Sequence, residues 1–599
     1  MNDLRPLHDC LALCRRELLS RRGPEGYWEG HLTSSALSTA TAVCALSLAA
    51  HPQDREPALA GLCWLARTQN DDGGWGDTED SPSNLATSLL ALCALRLGTD
   101  AGIAAGELPS SRSPNDPPPP LDESVSRART YISSLAGETE ADLVAAIRAA
   151  YGADRTFAVP ILTTCALAGL VKWSHVPPLP FELAAFPRGL YSALQLRVVS
   201  YALPALIAVG LAIDHHSPRG NRLQRHLRRT VIPTVRSKLL SLQPDNGGFL
   251  EAPPLTAFVA MSLVPVFGPE DPVVVKCLEF LRSAIREDGS WPIDSNLSVW
   301  VTTGALGALR AARASGHSDG EDAGALEAAV KWTAHRQTTQ VHAFTGAAAG
   351  GFPWSHLPGA VPDADDTAGA VLALCDGEHA PAVTGGVTWL LNLQNPDGGF
   401  PTFCRGWGKL PFDQSCADIT AHALRALHAA WPVPEPRVRR AISRALRYLA
   451  RVQRPDGAWR PLWFGNQYAP EKANPVLGTA RVLVALSRLD REGDMARRGL
   501  DYLAGVQNPD GGWGGAAQVP STVEETALAV CALSCRPEQM SRHLQSGAEY
   551  LMARVHDGTW TQAAPIGLYF SQLWYAEALY PIVWTTEALA RVAAVLGQQ

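Results

Sequence analysis

The sequence predicts an all-α protein built from repeated helix pairs, and three observations carry that expectation. A glutamine, a glycine turn and an aromatic recur together: QNDDGGW ending at Trp75, QPDNGGF at Phe249, QNPDGGF at Phe400, QRPDGAW at Trp459 and QNPDGGW at Trp513, with weaker copies at Trp28, Trp291, Phe352 and Trp560. Between copies, apolar residues recur at helical spacing, as in ALEAAVKWTAHRQ before one turn and TAGAVLALC after it. Most successive copies lie roughly 42 to 61 positions apart, the length of two helices and a loop.

Each element follows from its residue types. The glutamine closes a helix, Asp-Gly or Gly-Gly supplies a turn with positive φ, and the aromatic opens the next segment. The glutamine amide is expected to reach the unpaired ends of neighbouring helices, with the ring filling the gap between pairs. Such pairs stack as an open solenoid or close into a toroid with a central cavity, and the repeat alone selects neither. The register breaks between Trp75 and Phe249, 174 positions apart. Part of that gap is SSRSPNDPPPPLDES, residues 110–124, whose prolines mark a surface loop. Another part is VVSYALPALIAVGLAI, residues 198–213, too short to cross a bilayer and interrupted by Pro204. It reads as a core helix or as a segment dipping into one leaflet.

Composition narrows the function classes. At 599 residues the chain exceeds one compact core, and 46% apolar with 18% charged residues and a net charge of −7 gives no basic footprint for nucleic acid. The 12 cysteines, among them Cys44, Cys63, Cys165 and Cys375, lie scattered in apolar helix-like stretches and read as small core residues in a reducing compartment. MNDLRPLHDC lacks the apolar core of a secretory signal, so the cytoplasmic side is expected.

The candidate chemistry sits in VPDADDTAGA, where Asp363, Asp365 and Asp366 crowd the start of a helix after Pro362. One aspartate there is a helix cap; three exceed what a cap requires. Crowded carboxylates do not all ionise, and one that keeps its proton in a buried site is a strong general acid. Clustered aspartates also bind Mg²⁺ or Ca²⁺, although the spacing here is not that of an EF-hand. In FDQSCADITAHALRAL, Asp418 and His422 are four apart and share a helix face, as an ordinary surface pair also would. Cys416 with these two superficially matches a zinc set, offset by two positions from the histidine's face.

Taken together with the glutamine–glycine–aromatic repeats, RTFAVPIL, VKWSHVPPLP, LSVWVTTGALGAL, GGFPW, PDADDTA, DITAH and QRPDGAW, in this order along nearly the whole chain, resemble the squalene–hopene cyclase family of class II terpene cyclases. The resemblance implies two α/α barrels, one inserted in the other: an inserted barrel over 21–295 with 198–213 facing the membrane, and a catalytic barrel from 1–20 and 296–599. It implies a monotopic protein on the cytoplasmic face of the membrane, a homodimer, and squalene or a similar polyprenyl lipid as substrate. The chemistry it implies is protonation of a terminal alkene followed by cationic ring closure, with no organic or redox cofactor.

Carried over residue by residue, the resemblance makes Asp365 the proton donor flanked by Asp363 and Asp366, His422 the histidine that orients its proton, and Asp418 the carboxylate behind that histidine. Trp300, Trp354 and Trp463 match pocket-lining aromatics, joined by Trp173, Phe352, Phe400 and Tyr575. In a dry pocket, ring faces supply the negative electrostatics that a carbocation needs. Departures lie in the short stretch between Phe400 and Asp418, the long segment after QRPDGAW and the spacing of GLYFSQLWYAEALYP. Within the class, a cyclase of a prenyl diphosphate of drimenyl or copalyl type would need Mg²⁺ and a basic pocket, for which Lys172, Arg188 and Arg405 are candidates. A protein prenyltransferase β-like subunit would need zinc and a partner subunit, and a noncatalytic relative would bind the lipid without converting it.

Overall fold

A computed structural model describes residues 4–103, 120–152, 155–187, 190, 203–317, 320–343, 345–404, 411–431, 435–491, 493–568 and 573–597. Most of the 110–124 loop, residues 198–202 of the apolar run, Arg188 and Arg405 lie outside them. The chain forms two compact units. One comprises Met1–His31, Asn296–His356 and Ala360–Gln599, the other Leu32–Ser295 and Leu357–Gly359.

In the first unit, six inner helices, Ser298–Ala314, Ala364–Leu374, Ala417–Ala430, Pro475–Arg488, Val523–Leu533 and Tyr580–Leu596, each pack on the next, and the last packs on the first. The repeat therefore closes into a toroid. Outside them lie Arg5–Ser20, Gly320–Ala334, Ala380–Leu393, Pro436–Val452, Asp494–Gly505 and Pro537–Asp557. The two classes differ in sequence as burial demands. Pro436–Val452 buries Val438, Ala441, Ile442, Ala445, Tyr448 and Leu449 and turns arginines outward, whereas nearly every residue of Ala364–Leu374 is buried.

In the second unit, the inner ring is Ala36–Ala49, Leu85–Asp100, Arg155–Leu167, Leu203–His216 and Pro253–Phe267, again closed on itself. This corrects the membrane-facing reading for residues 203–213, the described part of that segment. In its described part, Leu203, Ile207, Val209, Leu211 and Ile213 are buried. An inner helix is covered on all sides, so it is apolar all round without meeting lipid. No helix among the described residues is long and apolar enough to cross a membrane.

The domain boundary also moves, from 20/21 to 31/32. Residues 21–31 stay with the first unit because Trp28 is buried there, its backbone N–H donating to Thr302 Oγ1 (3.0 Å) and its indole N–H to the Leu18 carbonyl (2.7 Å). Leu357–Gly359 joins the second unit, where the Gly359 N–H donates to Glu251 Oε1 (2.5 Å).

The repeat aromatics and glutamines divide the work at helix ends. The indole N–H of Trp75, Trp291, Trp459 and Trp513 donates to the carbonyl ten residues earlier, Leu65, Leu281, Leu449 and Leu503, in the last turn of the preceding helix. Last-turn carbonyls are where helical partners run out, and the indole supplies one, joined at Leu449 by the Gln453 N–H (3.1 Å). Each glutamine amide bridges two carbonyls, one in its own turn and one in the first half of the next outer helix. Gln394 Nε2 donates to Gly398 and Ala441 (both 2.9 Å), Gln453 to Gly457 and Met495 (both 2.9 Å). The expectation that glutamine serves the unpaired helix ends is thus met by the indole, and glutamine ties outer helix to outer helix. Gly398 has φ +96, and a Cβ there would lie 2.5 Å from the Arg444 carbonyl, so the turn requires glycine.

Candidate active site

One further hydrogen bond fixes the inner helices of the first unit in register. The backbone N–H of each repeat aromatic donates to a threonine in the first turn of an inner helix: Trp28 to Thr302, Phe352 to Thr367, Phe400 to Thr420, Trp459 to Thr479 and Trp513 to Thr526, at 2.9–3.0 Å. Counting from that threonine places equivalent residues at equal depth. Two positions before it stand Trp300, Asp365, Asp418, Leu477 and Glu524; two after it stand Gly304, Gly369, His422, Arg481 and Leu528; five after it stand Gly307, Leu372, Arg425, Val484 and Cys531. The last two layers, with Trp300 and Asp365, all line one cavity of about 140 Å³. The glycines make its room: a Cβ on Gly369 would come 2.8 Å from Thr303 Oγ1 and 3.7 Å from His422 Cε1.

The three crowded aspartates have separate positions. Asp363 is the N-cap of Ala364–Leu374, its Oδ1 accepting the Asp366 N–H (2.8 Å), and the Phe352–Pro353 strand pairs antiparallel with Pro362–Asp363 to hold it. The carboxyls of Asp363 and Asp366 also hydrogen-bond each other. Burial, then Asp365's charge, pushes Asp363 up to about 7, and burial together with Asp363 and Asp365 pushes Asp366 well above the carboxylate range. This pair keeps a proton.

Asp365 turns to the cavity and collects donors. Its Oδ1 lies 2.6 Å from His422 Nδ1 and 3.4 Å from Arg481 Nη1, and its Oδ2 accepts the Trp300 indole N–H at 2.9 Å. Burial alone would raise its pKa, but the Arg481 guanidinium, His422 and Trp300 together hold it far below the usual carboxylate range. The directions of these shifts favour the proton on the Asp363–Asp366 pair and the ionised form of Asp365, not the proton on Asp365. His422 in turn is lowered by burial and by Arg425 and Arg481, against the pull of Asp365.

Asp418 does not stand behind His422. Its Oδ1 takes the Cys416 thiol (2.7 Å), Oδ2 is buried without a partner, and burial and Asp365 raise its pKa. Spacing of four put both side chains on one face, yet the first-turn carboxylate is captured by the residue just before its helix. The zinc reading fails on the same geometry, because His422 faces Asp365 while Cys416 faces Asp418, and among the described residues no cluster of three such groups could hold a metal.

The aromatic expectations divide. Trp300 packs on Tyr580 (4.4 Å between centroids), whose hydroxyl meets that of Tyr575 (2.8 Å), and Tyr580 stacks on Trp584 (5.0 Å). Trp463 and Trp354 meet edge-on through Phe403 at 4.8 and 6.1 Å, with Phe412 5.8 Å from Trp463. Phe352 and Phe400 are fully buried beneath the threonine layer, and Trp173 belongs to the second unit, stacked on His216 (4.2 Å). These three have packing roles. The sequence reading missed Tyr580, Trp584, Phe403 and the guanidiniums of Arg310, Arg425 and Arg481. Aligning the inner helices on their threonines would have found Arg481 and Arg425, one in each of the two layers that line the cavity.

A toroid of helix pairs with buried carboxyls at an inner-helix start, donors around one of them and aromatic faces beside it defines the protein as a class II terpene cyclase. Residues 296–594 match the Squalene-hopene cyclase C-terminal domain and residues 11–105 its N-terminal domain, so the chain belongs to the squalene–hopene cyclase family. A probable squalene–hopene cyclase of Sinorhizobium fredii is 22% identical over 94% of this chain and 93% of its own length. A drimenyl diphosphate synthase of Streptantibioticus cattleyicolor is 32% identical over 54% of this chain and 57% of its own. In fold, the chain is similar to the ent-copalyl diphosphate synthase of Streptomyces platensis, with a TM-score of 0.55 at 21% identity over 98% of this chain and 99% of that one.

Proposed function

We propose that the enzyme protonates the terminal alkene of squalene or a similar linear polyprenyl at Asp365 and guides the resulting cation through ring closure. The observation that carries this reading is the set of donors on Asp365. His422 and Trp300 fix the carboxyl at the cavity wall and stabilise the conjugate base once the proton has gone, which is the differential stabilisation a strong acid requires. Trp300, Tyr580 and Trp584 offer ring faces beside it for a cation with no water to solvate it. Asp363 and Asp366 are the proton-bearing neighbours. Nothing in this initiation calls for an organic or redox cofactor.

A second reading, a prenyl diphosphate as substrate, is favoured by Arg310, Arg425 and Arg481 on the cavity wall, and with it Mg²⁺ would enter as the counter-ion of the diphosphate. It also draws on the likeness to the drimenyl diphosphate synthase. Incubating purified protein with squalene, farnesyl diphosphate and geranylgeranyl diphosphate, and analysing extracts by mass spectrometry, separates the two. A cyclised product from squalene supports the first, from a diphosphate the second, and no product from any of the three sinks both.

Peripheral attachment to the cytoplasmic face of a membrane, as a homodimer, belongs to the same proposal. Its support is the Arg222–Leu242 helix, which exposes Leu223, Leu227 and Leu240 among Arg222, Arg225 and Arg229. Flotation with anionic vesicles, weakened by Leu223→Gln with Leu227→Gln, is the expected result. Equal flotation of this variant would reject the helix as the contact.

A further inference from the structure

Glu524 and Glu525 open the inner helix Val523–Leu533, both only 5% exposed, and they spend their carboxyls differently. Glu525 is tied on both oxygens: Oε1 accepts the amides of Asn466 and Asn474 (3.0 and 2.9 Å), and Oε2 takes the Thr522 hydroxyl. Glu524 is tied on one. Its Oε1 accepts the Ala564 N–H (2.7 Å), while Oε2 is buried with no hydrogen-bond partner among the described residues. Scaffolding needs only the first contact, which a neutral side-chain oxygen would also make, and a buried acceptor left unmet costs stability. The second oxygen calls for another explanation.

Its surroundings supply one. Glu524 lines a small cavity of about 10 Å³ with Leu477, Leu528, Ile566, Tyr580 and Trp584, room for a single water. Leu528 and Trp584 also line the large cavity that Asp365 faces, so the two cavities share a wall. Val523–Leu533 is the third inner helix from Ala364–Leu374 in either direction round the ring, and Glu524 and Asp365 each stand two positions before their helix's register threonine. The two carboxyls therefore sit on opposite helices at one depth. An aromatic wall joins them: Trp300 on Asp365, Tyr580 on Trp300 and Trp584 on Tyr580, the last two reaching the cavity of Glu524. A cation formed beside Asp365 has ring faces along that path and a carboxyl at its end.

We infer that Glu524 is the base that ends the reaction: it holds one water in the small cavity and takes that water's proton as the oxygen bonds to the last cation. This role rests on Asp365 as the starting acid. The step balances. A C–O bond forms, one O–H bond of the water breaks, and the proton passes to Oε2; with the proton that Asp365 gave to the alkene, the sum is addition of water to a polyene. Burial, then the Glu525 charge, raises Glu524 to about 8 against the Ala564 N–H and its own backbone N–H, which makes it a stronger base than an ordinary carboxylate. Of the helices packed on its own, Pro537–Asp557 presents Tyr550, and Tyr580–Leu596 turns Tyr580 to the small cavity and Glu587 to the large one. Pro475–Arg488 turns Leu477 to the small cavity and Arg481 to the large one, and Asp494–Gly505 buries apolar residues. The base is the ionised form, so its share rises with pH through about 8.

Single turnovers of the whole enzyme in heavy-oxygen water, with squalene, farnesyl diphosphate and geranylgeranyl diphosphate in turn, test this by mass spectrometry. Alcohols are counted against alkenes made from the same cation, so the ratio is independent of how fast Asp365 starts the cascade. The wild type should yield a labelled alcohol whose share rises with pH about a midpoint near 8. Glu524→Gln keeps the Ala564 contact but is no base; its alcohol share should fall at least roughly tenfold in favour of alkenes and lose the pH dependence. A crystal structure of the wild type should show one water within hydrogen-bond distance of Glu524 Oε2, and this, with the wild-type pH profile, decides the matter if Glu524→Gln does not fold. Alkenes alone from the wild type, an equal alcohol share in Glu524→Gln, a share that ignores pH, or no water at Oε2 each overturn the base while leaving Asp365 as the acid. No product from the wild type with any of the three substrates sinks the starting acid and the base with it.

Discussion

His422 Nδ1 stands 2.6 Å from Asp365 Oδ1, so the histidine on the cavity wall is committed to Asp365. With Asp365 ionised the ring nitrogen donates; when Asp365 is to give up a proton, the same contact stabilises the base left behind. Asp365→Asn keeps the shape and removes the acid, and cyclisation should fall by at least the roughly 10²–10⁴-fold attributed to general acid catalysis. His422→Ala should cost somewhat less, because Trp300 still donates to the other oxygen. Product formation in single turnovers checks both, and an Asp365→Asn enzyme as fast as its parent removes Asp365 from the donor role.

Trp300 has two functions that substitution can separate. Its indole N–H donates to Asp365 Oδ2, and its ring packs on Tyr580 in the aromatic wall. Trp300→Phe deletes the donor and keeps a ring face. One lost hydrogen bond to a charged group is worth about 1.5–3 kcal/mol, so kcat should drop roughly 10- to 150-fold with little change in product pattern. Trp300→Ala should in addition release partly cyclised products, read by chromatography.

Much of this was legible in the sequence where one residue type carries one job. The glutamine–glycine–aromatic repeats fixed helix pairs, and PDADDTA with DITAH contain the buried carboxylate on the cavity wall and the histidine in contact with it. What was not legible depended on the third dimension. Closure of the ring is a property of six helices together. Arg481 lies 116 positions from Asp365, and only the shared threonine register puts them at neighbouring depths. Asp418 misled because helical spacing fixes a face, not a partner, and Cys416 was the nearer donor. The 203–213 stretch misled because an inner helix and a lipid-facing one carry the same apolar composition.

The acidic pair predicts an unusual pH dependence of stability. Asp363 has its folded pKa raised to about 7 against an unfolded value near 3.9, and Asp366 is raised as well, so the folded state holds a proton that the unfolded state has released. Their stabilising term is complete below about pH 4 and is lost as pH rises toward 7. Asp366→Asn leaves a neutral donor beside Asp363 and should flatten that loss, on the order of 1–4 kcal/mol between pH 4 and 7. Urea unfolding at both pH values, wild type against variant, provides the measurement. A difference of the same size in both proteins would place the proton elsewhere.

The outer ring offers a prediction that involves no chemistry at all. Gln394 Nε2 donates to Gly398 in its own turn and to Ala441 in the next outer helix, both at 2.9 Å, and the side chain is 8% exposed. Gln394→Ala therefore deletes two buried bonds and leaves two carbonyls facing an empty volume. At about 0.5–1.5 kcal/mol per bond, the loss should be roughly 1–3 kcal/mol, a fall in Tm of only about 1–2 °C for a chain of this size. Gln394→Glu keeps the shape but presents oxygens where two donors are needed, so it should be worse than alanine. If the pair instead rank alanine below glutamate, the amide is not acting as the donor that ties these two helices together.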